Sequence, residues 1–236
     1  MTQISKAQPT VTSVIQLTKI RKVYKTGDES TEALKEIDLT INRGEFVAIM
    51  GPSGSGKSSL MHILGLLDVP TSGTYQLDGQ DVSKLSNNRQ AELRNQQIGF
   101  VFQQFNLLPR TSVLDNVLLP SMYGLLSNAK QRAMEVIEQV GLKDRVRNLS
   151  NQLSGGQVQR VAIARALMMQ PSIILADEPT GNLDSKTSHD IMKTFQTIHR
   201  AGGTVVLITH EADIAAFADR IVRIKDGQLS TSKGTK

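Results

Sequence analysis

The sequence predicts an α/β fold with a mostly parallel sheet that is covered by helices on both faces. Short apolar runs in GEFVAIM, SIILADE and TVVLITH have the length and continuous hydrophobicity of strands buried on both sides. Strand-like and helical patterns alternate in both terminal parts of the chain, as in parallel sheets. A mainly helical stretch interrupts this alternation, and we expect it to form an inserted subdomain.

The elements follow in order along the chain. Strand patterns at SVIQLTKIRKVY and ALKEIDLTIN flank the turn-rich KTGDEST, and SGTYQLDGQDV is typical of a short hairpin between glycines. RQAELRNQ is helical and IGFVFQ is a strand. The helical stretch contains VLDNVLLPSMYGLL, AKQRAMEVIEQVGL and GQVQRVAIARALMM. SKTSHDIMKTFQTIHRAG is a helix that ends at glycine, and IVRIKDGQLS predicts a closing hairpin.

Composition limits the classes of function. The 236 residues include no cysteine, which excludes disulfides and thiolate metal sites and suits a reducing compartment. No apolar run approaches the roughly 20 residues of a membrane helix, and the first residues predict no signal peptide. The net charge of +5 is compatible with nucleic acid or an anionic membrane surface, but the charges are spread out, so we expect an ordinary solvated surface.

The stretch GPSGSGKSS predicts a phosphate-binding loop. It follows an apolar strand and precedes a helix that starts near Lys57, which is the context that this motif requires. Glycines let backbone N–H groups surround a phosphate, and the helix directs its positive end at the same anion. Lys57 is predicted to reach the β- and γ-phosphate oxygens, and the Ser58 hydroxyl is a predicted Mg²⁺ ligand. The predicted contacts are Gly51, Ser53, Gly54, Ser55, Gly56, Lys57, Ser58 and Ser59.

IILADEP supplies two carboxylates at the end of another buried strand. Because ligands bind beyond the carboxyl ends of the strands in open α/β sheets, we expect Asp177 and Glu178 beside the phosphate loop. Neighbouring residues of a strand point in opposite directions, so their roles should differ. Asp177 is predicted to hold Mg²⁺ and Glu178 to act as the base. The alternative is a pair of solvated acids before a proline turn.

Two further polar residues follow strands in the same way. His210 comes after TVVLIT, where an imidazole N–H could bind the γ-phosphate; the alternative is a capping or core histidine. Gln103 ends IGFVFQ, where its amide could contact Mg²⁺ or the Mg²⁺-bound water. Both are predicted to take part in catalysis.

LSGGQVQR opens a helix whose buried face is predicted by Val161, Ala164, Leu167 and Met168. Ser154 could cap this helix, and Gly155 and Gly156 leave its positive end accessible to a second anion. Two such sites in one chain are economically explained by two copies arranged head to tail, each covering the nucleotide of the other. The alternative is a capped helix after a glycine turn.

Together these motifs resemble those of ATP-binding-cassette (ABC) ATPases. GPSGSGKS, Gln103, LSGGQ, IILADEP, GNLDS and His210 stand in the order found in that family. The resemblance implies a P-loop NTPase fold with a RecA-like core and a small antiparallel β subdomain, at about 1–104 and 171–236. It also implies a helical subdomain at about 105–170, all within one ATPase domain covering 1–236.

The same resemblance implies the ligands and site roles. ATP and Mg²⁺ are the expected cofactors, bound between two copies of the chain. Ser154, Gly155, Gly156 and Gln157 would act on the nucleotide of the opposite copy, and Asp184 in GNLDS would lie where the two copies cross. Tyr24 fits the aromatic residue that stacks on adenine, the alternative being an ordinary strand tyrosine.

IGFVFQQFNLLP, LDNVLLP and ADEPTGNLDS further resemble the branch that serves lipoprotein-release and macrolide-export systems and the cell-division signalling pair. Val158 departs from the polar residue usual after LSGGQ. The resemblance implies a peripheral location on the cytoplasmic face of the inner membrane, and a separate permease of the macrolide-exporter or cell-division type. We expect that permease to dock near Gln103–Pro109, where Phe105, Leu107 and Leu108 are exposed or packed inside.

Other functions remain open at this point. An ABC ATPase that acts on DNA or ribosomes would suit the basic charge, although such relatives carry long insertions or two cassettes, and no nucleic-acid partner is expected here. A P-loop kinase would leave the LSGGQ segment without a role.

Overall fold

The computed structural model describes residues 13–27, 29–124 and 126–231. Within them the strands are β1 (Ser13–Thr26), β2 (Glu29–Asn42), β3 (Phe46–Met50), β4 (Ser72–Leu77), β5 (Gln80–Asp81), β6 (Ile98–Phe102), β7 (Ile173–Asp177), β8 (Val205–Ile208), β9 (Arg220–Lys225) and β10 (Gln228–Thr231). The helices are α1 (Lys57–Leu64), α2 (Asn87–Gln97), α3 (Val113–Leu118), α4 (Ala129–Gln139), α5 (Gly155–Leu167), α6 (Ser185–Arg200) and α7 (Ala212–Ala215).

A six-stranded sheet in the order β10-β9-β3-β8-β7-β6 forms the centre of the molecule. Its strands run parallel except β10, which pairs antiparallel with β9 in the predicted closing hairpin. Both faces are buried: Phe46, Ala48 and Met50 pack on one side of β3, whereas Val47 and Ile49 pack on the other. Burial on both faces explains why these strands are continuously apolar.

A second, antiparallel sheet has the order β2-β1-β4-β5. Its apolar residues share a core with α1 and with one face of the six-stranded sheet. The predicted turn KTGDEST is shorter than expected, because β2 already begins at Glu29. The predicted α/β fold with a small antiparallel sheet is confirmed.

Among the described residues between β6 and β7, the chain forms three helices and short 3₁₀ turns. The helix predicted from VLDNVLLPSMYGLL ends at Leu118, and a 3₁₀ turn containing Pro120 follows it. Proline at that point lacks the N–H that would continue the α-helical ladder. Helix α5 packs against β6, where Gly99 allows a close approach: a Cβ added there would lie 2.4 Å from the carbonyl oxygen of Ala166. The subdomain bounds near 105 and 170 stay a prediction.

None of the helices in the described residues combines the length and apolarity needed to cross a bilayer.

Candidate functional site

Four neighbouring strands deliver polar residues to one edge of the six-stranded sheet. The glycine-rich loop follows β3, His210 is the second residue after β8, Asp177 ends β7 with Glu178 just beyond it, and Gln103 follows β6. Because these strands are parallel and adjacent in the order β3-β8-β7-β6, their carboxyl ends meet. The phosphate loop, the acidic pair, His210 and Gln103 therefore lie at one edge of the sheet, as predicted.

The glycine-rich loop presents an uncapped helix end. Gly56, at the N-cap of α1, has φ +104° and provides no side-chain cap, so the first N–H groups of the helix have no partner within it. A Cβ at Gly56 would lie 2.6 Å from the carbonyl oxygen of Ala33, so only glycine fits without displacement. The Lys57 ammonium donates to the carbonyl oxygens of Gly51 and Pro52, each at 2.8 Å, which holds this cation over the loop.

The loop is supported from below by the C-terminal hairpin and by β2. The Gly227 N–H donates to the Ser55 carbonyl at 3.0 Å, and the Lys35 N–H donates to the Gly227 carbonyl at 2.8 Å. A Cβ at Gly51 would lie 2.2 Å from the carbonyl oxygen of Ile224 in β9. The Ser55 hydroxyl is buried and has no hydrogen-bond partner among the described residues.

Asp177 and Glu178 both line the cleft, and they differ in environment. Burial raises the pKa of the Asp177 carboxyl, and the nearby charge of Glu178 raises it further, whereas His62 and Lys57 oppose the shift. Glu178 lies beyond the end of β7 and has φ +43°. The difference in direction between Asp177 and Glu178 thus comes from a left-handed backbone turn at Glu178 and not from strand alternation. A non-glycine residue in that conformation is strained.

The His210 ring contacts the predicted base directly. The His210 Nδ1 lies 2.8 Å from Glu178 Oε1, and the His210 side chain is 62% exposed. An ionised carboxylate only accepts hydrogen bonds, so Nδ1 is the protonated nitrogen in this contact. Simultaneous donation to a phosphate through Nε2 would require a doubly protonated ring. A neutral His210 can therefore donate either to Glu178 or to a phosphate, but not to both at once.

Gln103 is tied to the segment that follows the acidic pair. The Gln103 carbonyl accepts from Asn182 Nδ2 at 2.8 Å. A Cβ at Gly181 would lie 2.7 Å from Gln103 Nε2, so a larger residue at 181 would displace the amide. The Gln103 side chain also lines the cleft.

The cleft has a volume of about 950 Å³. Its lining includes most of the predicted catalytic, phosphate and metal residues, namely Ser53, Gly54, Gly56, Lys57, Ser58, Ser59, Gln103, Asp177, Glu178 and His210. Sequence reasoning missed Thr31, Glu32, Ala33 and Lys35 of β2 and Asp226 and Gly227 of the C-terminal hairpin, which also line it. No motif marks these residues, because they reach the cleft only through long-range packing.

The donor set fits a polyphosphate with a divalent cation. Uncapped helix N–H groups, a glycine loop and an ammonium group complement anionic oxygens. The Ser58 hydroxyl, the Asp177 carboxylate and the Gln103 amide supply oxygen ligands of the kind that Mg²⁺ prefers.

The LSGGQ segment lies elsewhere on the chain. Ser154 and Gln157 form a capping box: Ser154 Oγ accepts from the Gln157 N–H at 3.4 Å, and Gln157 Oε1 accepts from the Ser154 N–H at 2.9 Å. The helix end is therefore less bare than predicted. Ser154 and Gly155 are exposed, and none of the four predicted residues, 154 to 157, is in the lining of the cleft.

Asp184 also lies outside the cleft lining, where it caps α6. Hydrogen bonds from the hydroxyl and the N–H of Thr187 lower the pKa of this carboxyl. Tyr24 pairs with Thr31 of β2, which does line the cleft. The Tyr24 hydroxyl donates to Asp68 at 3.1 Å, and Lys22 Nζ lies 4.9 Å from the ring centroid. The adenine-stacking role of Tyr24 stays a prediction.

The phosphate loop follows β3, and the acidic pair lies at the end of β7, with β8 between them in the sheet. This arrangement defines a P-loop nucleoside triphosphatase. The family model described as ABC transporter matches residues 34–181, and the chain belongs to this family of ATP-hydrolysing cassettes.

Two relatives agree with that membership. The Macrolide export ATP-binding/permease protein MacB of Chlorobaculum tepidum is 54% identical over 215 residues, covering 91% of this chain and 33% of that protein. The uncharacterized ABC transporter ATP-binding protein YvrO of Bacillus subtilis is 56% identical over 218 residues, covering 92% of this chain and 95% of that protein. The chain thus spans about a third of the MacB relative and nearly all of YvrO.

A solved structure extends the comparison to hydrolysis. The dimeric post-hydrolysis state of the ATP-binding cassette MJ0796, bound to ADP and Pi, superposes with a TM-score of 0.82 at 44% identity, covering 94% of this chain and all of that one. The predicted ABC ATPase membership, with ATP as substrate, is confirmed.

Proposed function

We propose that this chain is the ATP-hydrolysing subunit of a membrane transporter complex, in which two copies enclose two ATP molecules. One observation carries the proposal: the cleft and the exposed LSGGQ helix end are separate surfaces of a single chain. Each suits an anion, and a second copy brings the two surfaces together. The dimeric MJ0796 cassette supports this arrangement.

Within one cleft, Lys57 and the loop N–H groups bind the phosphates. Ser58, Asp177 and Gln103 would hold Mg²⁺, which would neutralise charge on the phosphate oxygens. Glu178 takes a proton from water as the water oxygen bonds to the γ-phosphorus. The bond to the β-phosphate oxygen breaks, and ADP and inorganic phosphate form. His210 orients Glu178 through the observed 2.8 Å contact, and it binds the γ-phosphate when that contact opens.

The helix end of the opposite copy contributes Ser154, Gly155, Gly156 and Gln157, with Asp184 at the crossing of the two copies. The γ-phosphate then bridges both protomers, and hydrolysis removes the bridge. Repeated closing and opening moves an attached permease, either for export or lipoprotein extraction or to transmit force across the membrane.

Gly155→Asp is expected to abolish ATP-dependent dimers. Asp at the first position of α5 suits the helix dipole, so the fold should be retained, but its carboxylate repels a phosphate at that position. In a Glu178→Gln background, which slows hydrolysis, ultracentrifugation with ATP and Mg²⁺ should detect dimers, and the added Gly155→Asp change should leave monomers. Gln131→Glu, which adds the same charge on α4, is the control. Dimers that persist with Gly155→Asp would contradict the proposal.

The proposed permease site is an apolar groove of about 660 Å³ between α2, β6, the 3₁₀ turn and α5. Tyr123 at its edge is 87% exposed. Of the docking residues predicted earlier, Phe105 and Leu107 are half-buried, and Leu108 is 46% exposed. None of the residues in the predicted surface at Gln103–Pro109 lines this groove, which they adjoin through Phe102 and Arg165.

Two arginines and one glutamate line this groove, and the glutamate, Glu92, is already paired with Arg89, so the groove favours an acidic partner segment. Arg165 lines it and donates to the carbonyl oxygens of Phe105 and Asn106, which are neutral acceptors. Arg94 lines it too and donates to the Leu66 carbonyl. We propose that the permease inserts a short helix with apolar residues and an Asp or Glu facing these arginines. This contact would hold the chain at the cytoplasmic face of the membrane.

Ala91→Arg is expected to disrupt that contact. Ala91 is exposed on α2 and lines the groove, so arginine would fill it and repel Arg94 and Arg165. Co-purification with the permease of the complex should fall about tenfold, the result of losing roughly 1.4 kcal/mol, while ATPase activity of the isolated chain is unchanged. Gln131→Arg on α4 is the control. Equal recovery of both variants would refute docking in the groove.

A further inference from the structure

Gln159 is a fully buried amide in the helix that carries the LSGGQ end, with 0% of its surface exposed. Its Nε2 donates to the Pro179 carbonyl at 2.6 Å and, at 3.4 Å, to the Phe102 carbonyl. Its Oε1 has no partner among the described residues. An unpartnered amide oxygen in the interior costs free energy that an apolar side chain of the same size would not.

The two carbonyls belong to the residues that adjoin the reactive side chains. Pro179 directly follows Glu178, and Phe102 directly precedes Gln103. One side chain of α5 therefore reaches the backbone of both segments, the one that carries the predicted base and the one that carries the amide predicted to contact Mg²⁺ or its bound water.

The tip of α5 is in contact with the same region. A Cβ at Gly155 would lie 3.2 Å from Leu183 Cδ2, and one at Gly156 would lie 2.5 Å from Thr187 Cγ2. Helix α5 and the stretch from Glu178 to Thr187 are thus close together at the helix tip and hydrogen-bonded through Gln159.

We infer that Gln159 is a positioning residue that couples the two ATP sites of the dimer. Its amide fixes the Glu178–Pro179 turn of one cleft relative to the helix end that covers the other cleft. Closure of the helix end on the partner's γ-phosphate then sets Glu178 and Gln103 of its own chain for hydrolysis. The inference rests on the roles proposed above for Glu178 and the LSGGQ end.

The test replaces the donor and keeps the side-chain volume. Gln159→Met removes the N–H donors and the oxygen of the amide, and Gln159→Glu places a carboxylate oxygen against the Pro179 carbonyl. Both variants should lower kcat between about 10- and 100-fold, the effect of misplacing a catalytic group. The KM for ATP should change less than threefold, because the phosphate loop is untouched, and the Hill coefficient for ATP should fall towards one.

Val161→Ala is the matched control, since Val161 is buried on the same helix and is apolar. It should lower the thermal midpoint of unfolding without lowering kcat at 25 °C. Wild-type kcat and Hill coefficient in both Gln159 variants would overturn the inference. So would a kcat loss that appears only where unfolding is detected.

Each Gln159 variant is also made in the Glu178→Gln background, and its molecular mass in the presence of ATP and Mg²⁺ is measured by ultracentrifugation. If Glu178→Gln alone fails to form dimers, the proposed function fails. If it forms dimers while the Gln159 variants turn over ATP as the wild type does, only the coupling role fails.

Discussion

Glu178→Gln is expected to reduce ATP turnover by about 10²- to 10⁴-fold, the usual contribution of a positioned base. Glutamine keeps the size of the side chain and can still accept from His210 Nδ1, but it cannot take a proton from water. ATP binding should be retained, because Lys57 and the loop N–H groups are unaffected. Turnover is measured as phosphate release, and binding by calorimetry with ATP and Mg²⁺.

The control for this variant is Glu138→Gln, an exposed glutamate paired with Lys143 on the surface. It should turn over ATP at the wild-type rate. Phosphate release by Glu178→Gln within a factor of three of the wild type would show that another group accepts the proton.

Mixing two inactive variants is expected to restore turnover. Lys57→Met removes an ammonium whose charged hydrogen bonds contribute about 1.5–3 kcal/mol, so ATP should bind roughly 10- to 100-fold more weakly. Gly155→Asp blocks the helix end. In a mixed dimer both defects fall in one site, and the other site is intact. Turnover of the mixture should therefore exceed the summed turnover of the two variants measured separately.

A second mixture serves as the control. Lys57 and Glu178 line the same cleft, so a mixed dimer of Lys57→Met with Glu178→Gln has one defect in each site and should stay inactive. If the first mixture also stays inactive although mixed dimers are isolated, the two-chain site is wrong.

The strand-end residues of the site could be predicted from sequence because they depend on local rules. A glycine loop between a strand and a helix, and acids after an apolar run, lie at the carboxyl edge of a parallel sheet whatever the remaining chain does. Lys57, Asp177, Glu178 and His210 were placed correctly at that edge on this basis.

Residues that reach the site by packing could not be predicted in this way. Lys35 and Gly227 meet the phosphate loop through contacts between distant parts of the chain. In the sequence, Gln159 is not distinguishable from the other polar residues of its helix, although it is fully buried. Strand alternation also failed for Glu178, because the strand stops one residue earlier and the backbone turns left-handed.

Through the hydrogen bond from the Gly227 N–H to the Ser55 carbonyl, the hairpin of β9 and β10 supports the phosphate loop. A frameshift that deleted β9 and β10 would leave every diagnostic motif of the family in the gene product. Its glycine-rich turn would nevertheless lose the support that shapes it. Genome surveys that count cassettes by motifs alone would therefore count such pseudogenes as genes for active ATPases.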